Sequence, residues 1–280
     1  MDTNQKSYIN LLEESFPGIR KNILRCEQLG FTWEDSKLFV HEEKREVLSH
    51  VALLECALLA EGLWHNAGAL HGICTKSTHR GRGLATKLIL EALQWAKTRY
   101  DILFLFTEIP AFYEKLSFQR IQEYRFHLPF SHPKGTKQLM PLTVPQDNNL
   151  FLRCFHEREP VSNRLWIKDN GLIASFNSLF LDYPSYGSVH YCPTIDGLIS
   201  FVLQDKTLHL LDVIASKIPS LNTILDHLPS EINDIYFYFS PDRFSEEAVP
   251  EPHVYDKGHL LVHGKWPTTQ PFMISPLSRC

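Results

Sequence analysis

The sequence predicts an α/β fold in two domains, and three observations lead to this prediction. The chain has 280 residues, about the length of two average domains. Residues 69–106 follow the order strand, amphipathic helix, strand, which is typical of a crossover between parallel strands. Residues 207–240 repeat that order. We therefore expect a mixed central sheet flanked by helices, and a second, smaller α/β domain.

Short segments open the chain. Pro17–Gly18 interrupts a helical stretch over residues 7–29 and divides it into two short helices. Apolar runs of strand length follow, and Gly62 and the sequence Asn66-Ala67-Gly68 favour a turn between two of them. The predicted strands of this half cover residues 37–41, 47–60, 69–75 and 102–106.

Residues 83–99 are the clearest predicted helix. Their apolar residues recur at i, i+4 spacing from Leu84 to Ala96, and the charged residues lie mostly outside that stripe. The unbroken apolar run of residues 102–106 follows at once. Such a run is typical of a strand that is buried on both faces of a sheet.

Residues 128–149 contain five prolines and glycines and little periodicity, which is typical of a link between domains. We predict a first domain at residues 1–130, a linker at 131–149 and a C-terminal α/β domain at 150–280. In the second half, the sequence predicts a helix at residues 221–228 and strands at 164–168, 172–181, 198–203, 207–214 and 234–240.

The composition excludes several classes of protein. A net charge of −4 and a pI near 6.4 give no general attraction to nucleic acid or anionic membranes. The longest stretch without a charged side chain is residues 62–75. A membrane-spanning helix needs about 20 residues, so this stretch is too short. The first six residues lack the apolar region of a signal peptide. We therefore expect a cytoplasmic protein with neither a nucleic-acid nor a membrane partner.

Cysteine and histidine spacing gives no sign of a metal centre. The six cysteines form no C-x-x-C pair, and the 14 histidines form no H-E-x-x-H or H-x-H motif. We expect free thiols that pack as small apolar side chains, and no metal.

The most informative segment is residues 73–86, Ile-Cys-Thr-Lys-Ser-Thr-His-Arg-Gly-Arg-Gly-Leu-Ala-Thr. It predicts a strand, a glycine-rich turn and the start of a helix. A turn of this kind points backbone N–H groups and the positive end of the helix dipole at an anion. Residues 76–87 contain Lys and Arg but no acid, although the whole chain is acidic. The segment therefore indicates a site for a phosphate-sized anion.

Two common phosphate motifs do not fit this segment. The chain contains no G-x-x-x-x-G-K-[ST] string. The dinucleotide fingerprint G-x-G-x-x-G/A fails because Thr86 stands at its last position, and Asp101 precedes the strand whose end should carry the ribose-binding acid. A nicotinamide-dependent enzyme is therefore not predicted.

The string Arg80-Gly81-Arg82-Gly83-Leu84-Ala85 matches R/Q-x-x-G-x-G/A, and here the chain resembles the GNAT superfamily of acetyl-CoA-dependent N-acetyltransferases. The surrounding elements support the resemblance. Residues 111–118, Ala-Phe-Tyr-Glu-Lys-Leu-Ser-Phe, are similar to the F-Y-x-k-x-G-F element of the family. Order and spacing agree over about residues 7–126.

The resemblance implies acetyl-CoA as co-substrate and direct transfer of the acetyl group to an amine, without a covalent enzyme intermediate. The pantetheine arm would lie along a strand splayed from its parallel neighbour, and the pyrophosphate on the turn amides. Tyr113 matches the family tyrosine that protonates the leaving thiolate, so the resemblance implies it as the catalytic residue. The implied cofactor-binding residues are Ile73, Cys74, Thr75, Arg80, Gly81, Arg82, Gly83, Leu84, Ala85 and Thr86.

The general base stays open between His71, Glu55, Glu108 and a water molecule. The chain departs from the family pattern at three points. Ser117 stands where the family has glycine, the family asparagine upstream of Tyr113 is missing, and the usual first strand is absent.

The acceptor and the assembly also stay open. We expect a small-molecule amine, with a protein or peptide N-acetyltransferase and a non-catalytic acyl-CoA sensor as alternatives, and a homodimer is one open oligomeric state. The second half repeats the order strand, helix, strand and is similar to a second GNAT-like half, and it is degenerate because its turn at residues 215–220 has no glycine. An unrelated small α/β domain is the alternative.

Overall fold

The structure is a computed structural model that describes residues 7–142, 146–169, 171–177 and 188–280. Its helices are α1 (Ser7–Ser15), α2 (Ile19–Gln28), α3 (Leu84–Ala96), α4 (Pro110–Glu114), α5 (Asn148–Glu157), α6 (Leu172–Ser175) and α7 (Leu221–Leu225). Its strands are β1 (Lys37–Glu43), β2 (Glu46–Ala60), β3 (Leu63–Thr75), β4 (Ile102–Thr107), β5 (Gln119–Ile121), β6 (Glu123–His132), β7 (Met140–Pro141), β8 (Leu165–Lys168), β9 (Ser188–Cys192), β10 (Gly197–Gln204), β11 (Thr207–Ile214), β12 (Ile232–Phe237), β13 (Val249–His253) and β14 (His259–Gly264).

The first sheet has the order β1-β2-β3-β4-β14-β5, and β8 pairs with the end of β2. Strands β3 and β4 run parallel and are joined through α3, which confirms the predicted crossover. The other pairings of this sheet are antiparallel. The sheet is therefore mixed, as the fold class predicts.

The second sheet has the order β13-β6-β12-β11-β10-β9-β7. Strands β11 and β12 run parallel and are joined through α7, so the second strand-helix-strand unit of the sequence is also present. Helix α7 spans five residues, whereas α3 spans 13. Both crossovers thus join two parallel strands through a helix, but the helix of the second crossover is shorter.

The two sheets exchange strands between the halves of the chain. Strand β14 lies between β4 and β5 in the first sheet, and β8 pairs with β2. Strand β6 belongs to the second sheet although it begins before residue 130. The domain boundaries at residues 130 and 150 stay a prediction. Each sheet contains strands from both sides of these boundaries.

Strand β3 begins at Leu63, earlier than the predicted residue 69. Asn66, Ala67 and Gly68 do not form a turn, because they pair with residues 57, 56 and 55 of β2, in that order. A Cβ on Gly68 would lie 2.7 Å from the Leu103 side chain, so glycine at this position serves close packing. The turn is confined to Glu61 and Gly62, both at positive φ.

Residues 172–175 form α6 instead of the predicted strand. Gly171 precedes the helix at a φ of +104°, and the Asp169 carboxylate accepts the Ile173 N–H at 3.1 Å. These local contacts favour a helical turn over an extended chain. The last part of that predicted strand, from residue 178, lies outside the described residues.

The segment after β14 joins the two sheets. Met273 packs in the core of the second sheet, and Phe272 and Ile274 pack in the core of the first. The Arg279 guanidinium forms two 2.9 Å hydrogen bonds to the Glu123 carboxylate, and both side chains are about 5% exposed or less. No helix within the described ranges is long and apolar enough to span a bilayer.

Candidate functional site

Strands β3 and β4 separate soon after they meet. Their parallel register covers only Ala67 to Ala69 on β3, opposite Ile102 to Phe104 on β4. Beyond this point β3 continues to Thr75 in register with β2, and β4 continues in register with β14. In the described chain, no strand pairs with the side of β3 that faces β4 from Leu70 onward. An extended ligand can therefore bind its backbone groups there.

A glycine-rich turn leads from β3 into α3. Gly81 and Gly83 have φ values of +77° and +75°, which L-residues with a side chain rarely adopt. A Cβ at either position would meet no atom within 4 Å, so the space beside them is open. No side chain of the described residues caps α3, and its first N–H groups can bind a ligand. The turn has the properties of an anion site.

The basic side chains of the turn have different surroundings. Lys76 pairs with Glu46, and the Arg82 guanidinium lies 3.5 Å from the Glu43 carboxylate. Arg80 donates from Nε to the Thr75 carbonyl at 3.2 Å and, within the described ranges, forms no ion pair. Of the two arginines of the turn, Arg80 lines the cleft and is therefore the one whose charge faces a bound anion.

One cleft of about 670 Å³ brings most of the predicted residues together. Nine of the ten predicted cofactor-binding residues and Tyr113 line it; the exception is Arg82, which points to Glu43. The sequence could not show this difference, because Arg80 and Arg82 both flank Gly81. The predicted residues that line the cleft are Ile73, Cys74, Thr75, Arg80, Gly81, Gly83, Leu84, Ala85, Thr86 and Tyr113.

Tyr113 lies on α4, which begins at Pro110, and it lines the same cleft as the turn residues. Its ring is 6% exposed and packs edge-on against Phe112 and Phe118. Burial raises the pKa of Tyr113 to about 12, although a hydrogen bond with the Thr107 side chain opposes this shift. The phenol therefore stays protonated at neutral pH and can donate a proton.

Ser117 has a φ of +66°, in the left-handed region that favours glycine. This is the position at which the resemblance leads one to expect glycine. The turn between α4 and β5 thus keeps the backbone geometry that a glycine would adopt, at the cost of some strain. The departure from the family pattern lies in the side chain and not in the fold of the turn.

The candidate general bases differ in position. Glu55 is exposed, and Tyr100 donates a hydrogen bond to it at 3.3 Å. Glu108 is exposed, and neither carboxylate lines the cleft. His71 is half-buried, and its Nε2 lies 2.8 Å from the Ser36 hydroxyl. Burial, and next the neighbouring His50, lower the pKa of His71 to about 3.

His50 holds the irregular part of β3 next to the cleft. The Trp33 indole can only donate, so His50 Nε2 accepts its N–H at 3.2 Å, and Nδ1 donates to the Gly72 carbonyl at 2.8 Å. Acceptance of the Trp33 N–H requires the neutral ring, and burial lowers the pKa of His50 to about 4. Gly72 itself has a φ of +58°, and a Cβ there would lie 2.8 Å from Trp33.

Sequence reasoning did not identify a second cavity that adjoins the cleft. Phe16, an exposed residue at the end of α1, lines both. Of the residues that line this cavity, only His71 was a candidate from the sequence, as a general base on the same strand as Ile73. The remaining residues come from distant parts of the chain, and the cavity is lined by Phe16, Ile19, Trp33, His71, Gly72, Leu172, Ile173, Phe176, Asn177, Arg279 and Cys280.

The turn before α7 differs from the turn before α3. The Ile218 N–H, which would face a ligand in an anion site, donates to the Glu159 carboxylate at 2.5 Å. Arg243 binds the same carboxylate at 2.8 Å. An internal acid therefore occupies the second turn. Within the described residues, no group of three His, Cys, Asp or Glu side chains could hold a metal ion.

Comparisons with known proteins agree with this geometry. Residues 2–121 match the family model described as an acetyltransferase (GNAT) domain. A GCN5-related N-acetyltransferase from Kribbella flavida is 14% identical, with a TM-score of 0.55, over 94% of this chain and 69% of that chain. One from Anabaena variabilis is also 14% identical, with a TM-score of 0.54, over 92% and 69%. No curated protein matches the chain. The likeness to solved structures extends over both sheets and shows a shared fold.

Proposed function

We propose that the protein, whose residues 2–121 match the GNAT acetyltransferase domain, transfers an acetyl group from acetyl-CoA to a primary amine of a small molecule. Acyl transfer from acyl-CoA is the activity that the family supports. The proposal adds the acetyl group, the amine and the size of the acceptor, and it places the reaction in the cleft next to Tyr113.

One observation carries the proposal. The unpaired side of β3, the open glycine turn at the start of α3 and the buried Tyr113 phenol all meet in a single cleft. These three parts suit the pantetheine arm, the pyrophosphate and the thioester end of an acyl-CoA.

The reaction needs little from the side chains. The amine nitrogen attacks the thioester carbonyl carbon, a C–N bond forms, and the C–S bond breaks. Backbone N–H groups of β3 beside the cleft can stabilise the carbonyl oxygen as it gains charge. Tyr113 donates its proton to the departing thiolate and is protonated again from solvent, while the amine nitrogen loses a proton to water.

An amine screen tests the proposed function. The purified chain, acetyl-CoA and a panel of primary amines are mixed, and release of the free CoA thiol is followed. We expect release that depends on both the amine and the protein. If acetyl-CoA binds but no amine gives release with acetyl-CoA or longer acyl-CoA, the non-catalytic sensor replaces the enzyme.

The two arginines of the turn are expected to differ in their effect on cofactor binding. Arg80→Glu places a negative charge beside the turn, where like charges a few ångströms apart repel by about 1 to 4 kcal/mol. We expect the Kd of acetyl-CoA to rise at least about 10-fold. Arg82→Glu is the matched control, because Arg82 points to Glu43, and we expect a rise of about threefold or less. Calorimetry measures both; equal effects would contradict this account.

We expect one acetyl-CoA to bind per chain. Glu159 already occupies the turn before α7, and a second carboxylate or phosphate there would meet its negative charge. Calorimetric titration should give a stoichiometry of one, and Arg80→Glu should weaken that single site. A stoichiometry of two, or a site that survives Arg80→Glu with full affinity, would be evidence for binding in the second half.

The C-terminal half contributes to the acceptor side of the site in this proposal. Leu172, Phe176 and Asn177 line the cavity that adjoins the cleft, together with residues of the N-terminal half. The division at residues 130 and 150 remains part of the proposal, as do the cytoplasmic location and the open choice between a monomer and a homodimer.

A further inference from the structure

Strand β3 contains one residue more than β2 at the point where the cleft begins. The register places residues 50 and 52 of β2 opposite residues 74 and 71 of β3. Two steps along β2 therefore correspond to three along β3, which is the pattern of a β-bulge. In these two fully described strands, Gly72 and Ile73 are left without a partner in the register, and Gly72 has a φ of +58°. The bulge lies between the cavity, which Gly72 lines, and the cleft, which Ile73 lines.

The His50 side chain binds the extra peptide group of the bulge. The Gly72 carbonyl accepts a hydrogen bond from His50 Nδ1 at 2.8 Å. In a trans peptide, the carbonyl of one residue and the N–H of the next point in opposite directions. The bond from His50 to Gly72 therefore also fixes the direction of the Ile73 N–H, which points away from His50. Ile73 lines the cleft, where the thioester lies under the proposed function.

Trp33 fixes the state of the His50 ring. Its indole N–H donates to His50 Nε2 at 3.2 Å, so the proton of the neutral ring is on Nδ1, where the Gly72 carbonyl requires it. Both side chains are buried, and the Tyr8 ring stacks on His50 with the ring centres 5.7 Å apart. A Cβ on Gly72 would lie 2.8 Å from Trp33 and 3.3 Å from His50, so the pair packs directly against the bulge.

The segment that carries Trp33 also binds the residue before the bulge glycine. Ser36 is buried, and its hydroxyl lies 2.8 Å from His71 Nε2. The segment has a defined shape, because the Asp35 carboxylate accepts the Thr32 N–H at 3.0 Å. The bulge is therefore held by a short, structured segment that is distant from β3 in sequence.

Building on the proposed function, we propose that His50 and Trp33 are positioning residues of the acetyl transfer: they hold the bulge so that the Ile73 N–H donates to the carbonyl oxygen of the bound thioester. Neither side chain lines the cleft, so both act through the backbone of β3. The carbonyl oxygen gains charge as the amine attacks, and a donor that is already in place stabilises this charge. His50 and Trp33 neither gain nor lose a proton in the reaction.

Two substitutions at His50 isolate the bond to Gly72. His50→Leu removes both ring nitrogens. His50→Asn keeps a nitrogen donor as many bonds from the main chain as Nδ1, so it can still bind the Gly72 carbonyl, although the Trp33 N–H loses its acceptor. With an amine from the screen, we expect kcat to fall at least about 10-fold in His50→Leu and at most about threefold in His50→Asn. The Kd of CoA, measured by calorimetry, should stay within about twofold in both, because the turn of residues 80–86 is unchanged.

The thioester carbonyl reports the same bond without an acceptor amine. Isotope-difference infrared spectroscopy measures the carbonyl stretching band of acetyl-CoA bound to each variant. A hydrogen bond to the oxygen weakens the C=O bond, so we expect a lower frequency in wild type and His50→Asn than in His50→Leu. A role of His50 in stability alone would lower the free energy of unfolding of the variants without moving this band.

His227→Leu is the matched control. His227 is also buried, and its Nδ1 donates to a carbonyl, that of Thr223, at 2.7 Å. Its Nε2 lies 2.9 Å from the Thr194 hydroxyl, and the residue does not line the cleft. We expect His227→Leu to lower the stability of the fold but to leave kcat within about twofold of wild type and the carbonyl band unchanged.

Trp33→Phe keeps the proposal testable if His50→Leu does not fold. It keeps an aromatic ring and removes the N–H, so the proton of His50 is free to move to Nε2, and the bond to Gly72 is then lost. We expect kcat to fall at least about threefold, the effect of one hydrogen bond, and the Kd of CoA to change little.

The outcomes separate this inference from the proposed function. Wild-type kcat and an unshifted carbonyl band in folded His50→Leu overturn the inference, as does an equal loss of kcat in His50→Asn and His50→Leu. Wild-type kcat in folded Trp33→Phe also overturns it. In each of these cases the acetyltransferase itself stands. If acetyl-CoA does not bind, both fall. If it binds but no amine releases thiol, the proposed function is contradicted, and the carbonyl band alone decides on His50.

Discussion

Tyr113→Phe should lower the turnover number about 100-fold, the effect typical of a lost general acid, while the Kd of acetyl-CoA changes little. The substitution removes only the hydroxyl and keeps the ring, which packs against Phe112 and Phe118. Burial raises the pKa of Tyr113 to about 12, so the wild-type phenol is protonated when the thiolate leaves. A 100-fold loss corresponds to about 2.7 kcal/mol of transition-state stabilisation.

The chain offers a matched control for this experiment. Tyr100 also carries a hydroxyl in a hydrogen bond, to Glu55, but it does not line the cleft. Tyr100→Phe should therefore leave both the turnover number and the acetyl-CoA affinity within about twofold of wild type. Wild-type turnover in Tyr113→Phe would mean that the tyrosine only forms the wall of the cleft and that another group protonates the thiolate.

Arg279→Ala should destabilise the fold by about 3 to 5 kcal/mol, because it leaves the Glu123 carboxylate buried without its partner. The guanidinium also lies 3.8 Å from the ring centre of Phe106, and that contact is lost as well. Burial already raises the pKa of Glu123 in the intact pair. The free energy of unfolding, measured in urea, gives the difference from wild type.

Arg153→Ala is the control for the ion pair. Arg153 also binds a carboxylate through two nitrogens, that of Asp196, but both side chains are more than a third exposed. Exposed pairs contribute about 1 kcal/mol or less, so we expect a small change here. If Arg279→Ala and Arg153→Ala lower the free energy of unfolding by the same amount, burial does not explain the contribution of the Glu123–Arg279 pair to stability.

The exchange of strands between the sheets has a consequence for the site. The segment that carries Arg279 reaches the cavity because β14 lies inside the first sheet and the chain after it runs back between the two cores. The wall of the cavity therefore depends on both halves of the chain. We expect Arg279→Ala to disturb the structure of this wall as well as the stability of the fold. The turn at Gly81 and Gly83 is not part of the wall.

The sequence by itself determined the elements whose signals are local. The helix after Gly83 follows from apolar residues at helical spacing, and the turn before it follows from two glycines that adopt positive φ. The parallel crossover from β3 to β4 follows because a strand, a helix and a strand come in direct succession. The predicted residues of the cleft lie together for the same reason, since most of them belong to one continuous segment of the chain.

The tertiary structure alone decided the features that depend on distant residues. Arg80 and Arg82 are equivalent in sequence, and only the structure shows that Arg80 lines the cleft whereas Arg82 lies 3.5 Å from Glu43 on β1. The cavity wall combines Phe16, which follows α1, with residues of α2, β3, α6 and the segment after β14, and no local pattern relates them. The strand exchange has the same origin, because hydrogen bonds between strands far apart in sequence are set by the packing of the whole chain and leave no periodic signal in either strand.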